Sequence, residues 1–273
     1  DHRDLHSFPT RRSSDLMRVS FSTAALYPRP SLESLSLLGK TGYSEAELMP
    51  QCMEETKPEF AKETVKTGIW VSSIHFPLAF FSILYNPYPG MMKEARIMAE
   101  EMTRSAEIMK SEVVVVHALP KMDAVKARIF EEPVIEVLRT LADELESAGV
   151  KLAVENNPST LGDTPQGLLE SLERLNHVNA FPMVDTTESW EAGIDPAYFI
   201  EQVRPIHLHL SDHVGDQKHI PAGQGEGDWK AILSVLKEIG YGGIYVLEPA
   251  YRHYLEDVEA KLRLARKSLD IFL

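Results

Sequence analysis

From Met17 onward the chain repeats one pattern: a short run rich in Val, Ile and Leu, then a longer stretch in which apolar residues return every three or four positions. The short runs fit strands buried on both faces, and the longer stretches fit helices with one apolar stripe. Regular alternation of the two makes a parallel sheet, because each helix carries the chain back before the next strand begins. Eight runs qualify as strands: RVSFST (18–23), AEL (46–48), WVSSIHF (70–76), EVVVVHA (112–118), VKLAVEN (150–156), AFPMVD (180–185), PIHLHL (205–210) and GIYVLE (243–248). The best-marked helices span 91–110, 128–148, 165–176, 195–203, 228–239 and 254–271. Start signals at DTPQ (163–166) and Asp195–Pro196 pair a capping side chain with a proline in the first turn, and Gly149 and Gly240 supply stops. No Pro- or Ser-rich linker divides residues 17–273. Count, order and length predict a single-domain α/β fold, the (β/α)8 TIM barrel of about 250 residues. A doubly wound open sheet is the alternative, but no G-x-G-x-x-G follows the first strand.

The first sixteen residues, DHRDLHSFPTRRSSDL, carry neither period and lack the apolar core of a signal peptide. Part of this stretch, HSFPTRRSSDL, resembles a translated sequencing-library adapter. Residues 1–16 are therefore expected to be a non-native, disordered segment, with the fold beginning at Met17.

A formal charge of -13 opposes binding to nucleic acid or an anionic membrane, both of which attract basic surfaces. The longest apolar run, FPLAFFSILY (76–85), is half the roughly 20 residues that a spanning helix requires. Cys52 is the only cysteine, so no internal disulfide can form, and the protein reads as cytoplasmic with a small-molecule partner.

In a parallel barrel the active site lies at the C-terminal ends of the strands, so ionisable residues ending apolar runs are candidates for chemistry. His75, His117, Glu155, Asp185, His207 with His209, and Glu248 end six of the runs. A carbonyl-bound core histidine, or an acid capping the next helix, would account for any one of them. Together they would form one cluster of imidazoles and carboxylates, which is costly unless paired, protonated or bound to a cation. His207 and His209 share a face because side chains alternate along a strand. His209 lies nearer the rim and suits a ligand, while His207, one layer deeper, is expected to orient its neighbour. Three carboxylates and one imidazole suit Mn²⁺, Mg²⁺ or Co²⁺, with Mn²⁺ the first choice.

The segments LAVENN (152–157), VDTTESW (184–190), HLHLSD (207–212), HIPAGQGEGDW (219–229) and YVLEP (245–249) resemble the xylose isomerase-like TIM-barrel superfamily, nearest to its sugar phosphate isomerases and ketose 3-epimerases. The resemblance implies metal ligation by Glu155, Asp185, His209 and Glu248, with Glu155 and Glu248 as the catalytic base and acid. Substrate contacts are expected from His75, His117, Glu188, Trp190, His207 and Lys218, with Arg252 a further contact. One departure is visible: the family pattern places a histidine three residues after the aspartate, where this chain has Glu188. GQGEG does not follow the Walker spacing, so it is a weak phosphate cradle.

The expected activity is isomerisation or epimerisation of a sugar or sugar phosphate through an enediolate. Other readings are a metal-dependent apurinic endonuclease, which the net charge opposes, a dehydratase, and a metal-binding subunit of a larger complex. The aromatic stretch FFSILYNPYPG (80–90) is expected to close the pocket or meet a second copy of the chain.

Overall fold

The structure, a computed structural model, describes residues 17–268. The expectation for residues 1–16, and the final residues of the last expected helix, lie outside the described residues. The strands are β1 (Arg18–Phe21), β2 (Glu45–Leu48), β3 (Trp70–His75), β4 (Val113–His117), β5 (Lys151–Glu155), β6 (Ala180–Asp185), β7 (His207–Leu210), β8 (Asp212–Val214), β9 (Gln217–Ile220) and β10 (Ile244–Leu247). The helices are α1 (Ser31–Thr41), α2 (Pro58–Lys66), α3 (Phe81–Leu84), α4 (Pro89–Met109), α5 (Ala124–Ser147), α6 (Pro165–Leu175), α7 (Thr186–Glu191), α8 (Pro196–Val203), α9 (Trp229–Glu238) and α10 (Val258–Ala265).

Eight strands pair in the order β1-β10-β7-β6-β5-β4-β3-β2, each pair parallel. A parallel bridge between Ser22 and Glu47 joins the two edges and closes the ring. The expected TIM barrel is therefore the fold. β8 and β9 form a separate antiparallel hairpin after β7, where the sequence pattern marks neither strand nor helix. The same pattern marks no helix around β2, where α1 and α2 lie. The last helix is shorter than expected, because a 3-10 turn at Tyr251–Tyr254 precedes α10.

Most of the apolar core lies between strands and helices, where Leu35, Leu38, Met98, Met102, Leu141, Leu145 and Phe199 are fully buried. Burying a side chain of that size contributes about 1.5–3 kcal/mol each. Inside the ring, by contrast, Val113, Val115, Ala153 and Met183, with Ile206 against them, form an apolar plug. Strand parity explains what lies above it. Val113, Val115 and His117 share a face of β4, Ala153 and Glu155 share one on β5, and Met183 and Asp185 share one on β6. Thus much of the lower interior is apolar, with His207 level with Met183 as an exception, and the C-terminal ends are ionisable.

Candidate active site

The register aligns the functional rows. His117 pairs with Glu155 across β4 and β5, and Asp185 pairs with His209 across β6 and β7. Ligand atoms of Glu155, Asp185, His209 and Glu248 come within 4.8 Å of one another, so the four strand ends converge on one point. His209 Nδ1 lies 2.9 Å from Glu155 Oε1 and 2.7 Å from Glu248 Oε2. Glu155 turns its other oxygen, Oε2, to His75 Nε2 and His117 Nε2, each at 3.2 Å. Ser22 Oγ donates to Glu248 Oε1 at 2.9 Å. Asn156 fixes the backbone of Asp185 from both sides, accepting from its N–H at 2.6 Å and donating to its carbonyl at 3.2 Å.

A cavity of about 350 Å³ opens over this cluster, lined by His75, His117, Glu155, Asp185, Glu188, His219 and Glu248 together with Asn157 and apolar residues from neighbouring loops. A larger cavity of about 500 Å³ lies at the opposite end of the barrel, around Arg18, Lys151 and Arg204. The smaller one is the candidate site, because the carboxylates and imidazoles converge there.

Of the sequence-predicted contacts, His75, His117 and Glu188 line the cavity. Trp190 does not: it stacks on His213 with ring centroids 3.7 Å apart and faces a neighbouring cavity. Lys218 is turned away to pair with Glu191, and the Arg252 guanidinium donates to the Lys218 carbonyl. The β8–β9 hairpin carries Lys218 past the rim, which is why these two cations do not reach the cavity. His207 is fully buried below it, with Nε2 2.9 Å from Glu47 Oε2, so it supports its neighbour from beneath.

Glu47 and His219 were missed in the sequence. Glu47 is fully buried; Oε2 accepts from Ser73 Oγ at 2.8 Å, while Oε1 lies 2.9 Å from His209 Nε2. The available signal was an acid inside a short strand whose other positions belong to a barrel core. His219 reaches the cavity from the end of the hairpin, with its backbone in the left-handed region at φ 51°. Its Nε2 lies 3.3 Å from Glu188 Oε1, and its Nδ1 lies 3.1 Å from Ser211 Oγ. Asn157 Nδ2 donates to Glu188 Oε2 at 3.1 Å. An imidazole thus stands beside Glu188 although none follows Asp185 at the family spacing.

Burial pushes Asp185 up to about 7, with Glu188 and Glu155 adding to the effect against His219 and His209. Burial would raise Glu155, but His209, His117 and His75 outweigh it and hold the carboxyl well below the usual range. Burial would lower His219, yet Glu188 and Asp185 lift it to about 9. His209 is raised in the same way, by Glu248, Glu47 and Glu155 against its own burial. Asp185 Oδ2 is buried with no hydrogen-bond partner, and the ring nitrogens of His209 sit close to carboxylates without hydrogen-bond alignment. An oxygen-rich set with one nitrogen and unsatisfied buried atoms fits a hard divalent cation. The trio Asp143, Glu146 and His177, with both acids exposed, does not: His177 Nδ1 already accepts from the Asn179 N–H, so Nε2 carries the proton it shares with Asp143.

The model of one family, described as xylose isomerase-like TIM barrel, matches residues 35–272. The chain belongs to the xylose isomerase-like TIM-barrel family. Among curated relatives, uncharacterized protein MJ1311 of Methanocaldococcus jannaschii is 32% identical over 149 residues, which is 50% of each chain. The chain thus spans half the length of that relative. Uncharacterized protein ML2432 of Mycobacterium leprae is 25% identical over 264 residues, covering 85% of this chain and 89% of the relative. Solved structures of the same fold include a D-tagatose 3-epimerase-like protein, with TM-score 0.73, 21% identity and coverage of 94% and 98%. An L-ribulose 3-epimerase has TM-score 0.75, 18% identity and coverage of 94% and 95%. The IOLI protein, solved with a zinc atom, has TM-score 0.73, 20% identity and coverage of 93% and 97%. As a member of this xylose isomerase-like family, the chain carries its ionisable cluster at the barrel end where such folds place their sites. No helix among the described residues is long and apolar enough to cross a membrane.

Proposed function

We propose that the protein is a divalent-metal-dependent sugar isomerase or epimerase of the cytoplasm, with Mn²⁺ the favoured ion and Mg²⁺ or Co²⁺ the alternatives. The convergence of Glu155, Asp185, His209 and Glu248 beneath one cavity carries this reading. These four residues would hold the ion. A bound divalent cation would polarise the sugar carbonyl and offset the charge that develops when the neighbouring C–H is broken.

The remaining work falls to the chain's own groups. Glu155 and Glu248 approach His209 Nδ1 from different strands, and in this reading a sugar would bind with one carboxylate on each side of it. One takes the proton from the carbon beside the carbonyl, and the other returns a proton to the opposite face or to the adjacent carbon. His75 and His117 anchor Glu155 Oε2, which leaves Oε1 for the reaction side. Ser22 anchors Glu248 Oε1 in the same manner. Both bases are therefore held in place before substrate arrives. His75 and His117 also line the cavity, His75 with both ring nitrogens taken up by the Phe76 carbonyl and Glu155.

Elemental mass spectrometry of purified protein tests the ligand set. About one Mn, Co or Mg per chain is expected in the wild type, with loss in Glu155→Gln, Asp185→Asn, His209→Asn and Glu248→Gln. A wild type that takes up no divalent ion on reconstitution removes the mechanism.

A further inference from the structure

Resting on that reading, the geometry points to a specificity-determining wall made of Glu188, His219 and Asn157, which selects an uncharged, hydroxyl-bearing end of the sugar and rejects a phosphate ester there.

Four carboxylates face the cavity, and among the described residues lining it there is no lysine or arginine. One divalent ion would cancel two of those charges and a protonated His219 beside Glu188 offsets a third, so the lining still offers a phosphate no net positive charge. Lys218 and Arg252, the two cations nearest in sequence to the rim, are turned outward to Glu191 and to a backbone carbonyl. A second route to phosphate binding, the backbone N–H groups of the GQGEG loop, is closed by the protein itself. Gly223, Gly225 and Gly227 donate to the Asp212 carboxylate at 3.1, 2.9 and 2.9 Å, and Trp229 Nε1 donates to it at 2.7 Å. The anion that this loop accommodates is therefore an internal side chain.

What the wall offers instead is donors and acceptors side by side. Asn157 Nδ2 and His219 Nε2 meet the two oxygens of Glu188, so donor and acceptor atoms alternate along this edge of the cavity. A sugar hydroxyl donates and accepts at once and matches such an edge. A phosphate only accepts, and would place its charge beside the Glu188 carboxylate in a partly dehydrated site. His219 is held to this edge by Ser211 Oγ and by its own carbonyl, which accepts from the Ala250 N–H at 2.7 Å.

The test compares kcat/KM of the metal-replete enzyme for D-tagatose, L-ribulose and D-allulose with kcat/KM for D-tagatose 6-phosphate, L-ribulose 5-phosphate and D-allulose 6-phosphate. The expected result is a preference of at least hundredfold for the free sugar. Glu188→Gln and, as a second variant, His219→Asn are expected to cut that preference tenfold or more while metal content stays at the wild-type level. Asn is chosen because it tolerates the left-handed backbone at this position. Equal or better turnover of the esters by wild type overturns the proposal, as does an unchanged preference in both metal-loaded variants. Wild type that is metal-replete yet turns over none of the six compounds overturns the isomerase reading and this selectivity with it. Activity on free or phosphorylated ketose therefore separates the two failures.

Discussion

Glu47 shows what one residue contributes to this site. It stands beneath His209 with Oε1 2.9 Å from Nε2, which leaves Nδ1 facing the ligand cluster. A carboxylate on the far nitrogen fixes the tautomer and the ring plane of a metal-binding histidine. Glu47→Gln should therefore weaken Mn²⁺ binding by about 10–100-fold in a competition titration, and an affinity within twofold of wild type would contradict that role. Asp185 gives the pH dependence. Its carboxyl is raised to about 7, so protons compete with the ion for it below that pH, and Mn²⁺ affinity should fall as pH drops from 7.5 to 5.5. Flat affinity across that window would place the competition elsewhere. His219 works with the opposite protonation state. Raised to about 9, it contributes stability that is complete below about 6.5 and lost as pH climbs through 9, readable as a falling thermal midpoint that His219→Asn should not show. The strand-end acids and imidazoles were legible because each closes an apolar run. Glu47 was not, because EAEL is too short to show a period and its acid reads as an exposed position until the barrel encloses it.

At the scale of elements, the loop between β9 and α9 is organised around one carboxylate. Asp212 accepts from three glycine N–H groups and from Trp229, and a side chain at Gly225 would meet the His213 carbonyl at 2.3 Å and Asp212 at 2.4 Å. Glycine is required there by space. Removing the carboxylate with Asp212→Ala takes away the acceptor of one buried donor, Trp229 Nε1, and of three glycine N–H groups nearer solvent, and should cost about 1–3 kcal/mol in urea unfolding. A loss below about 0.5 kcal/mol would mean that water replaces the carboxylate without penalty. The strands were readable in the sequence because parallel strands buried on both faces form continuous apolar runs. The hairpin β8–β9 was not, since DHV and QKHI carry no apolar alternation, and their pairing depends on the turn at Gly215. That omission also hid His219, whose place in the site is set by the hairpin and not by any barrel strand.

For the molecule as a whole, the count and order of strands were enough to specify the barrel, while the closure of the ring was visible only in three dimensions. β1 and β2 meet through the bridge between Ser22 and Glu47. Ser22 also holds Glu248, and Glu47 also holds His207 and His209. The joint that completes the architecture and the side chains that support Glu248 and His209 are thus the same residues. Binding Mn²⁺ should raise the thermal midpoint, as any ligand of the native state does, and should slow amide hydrogen exchange in β1 and β2 more than in β4 or β5. Uniform slowing across the barrel would refute a local seam. A ring fastened at the residues that support its candidate site has no separate fold to fall back on at that point: a chain that opens there would lose the props of Glu248 and His209 first, so a count of intact sites would also be a count of fully closed barrels.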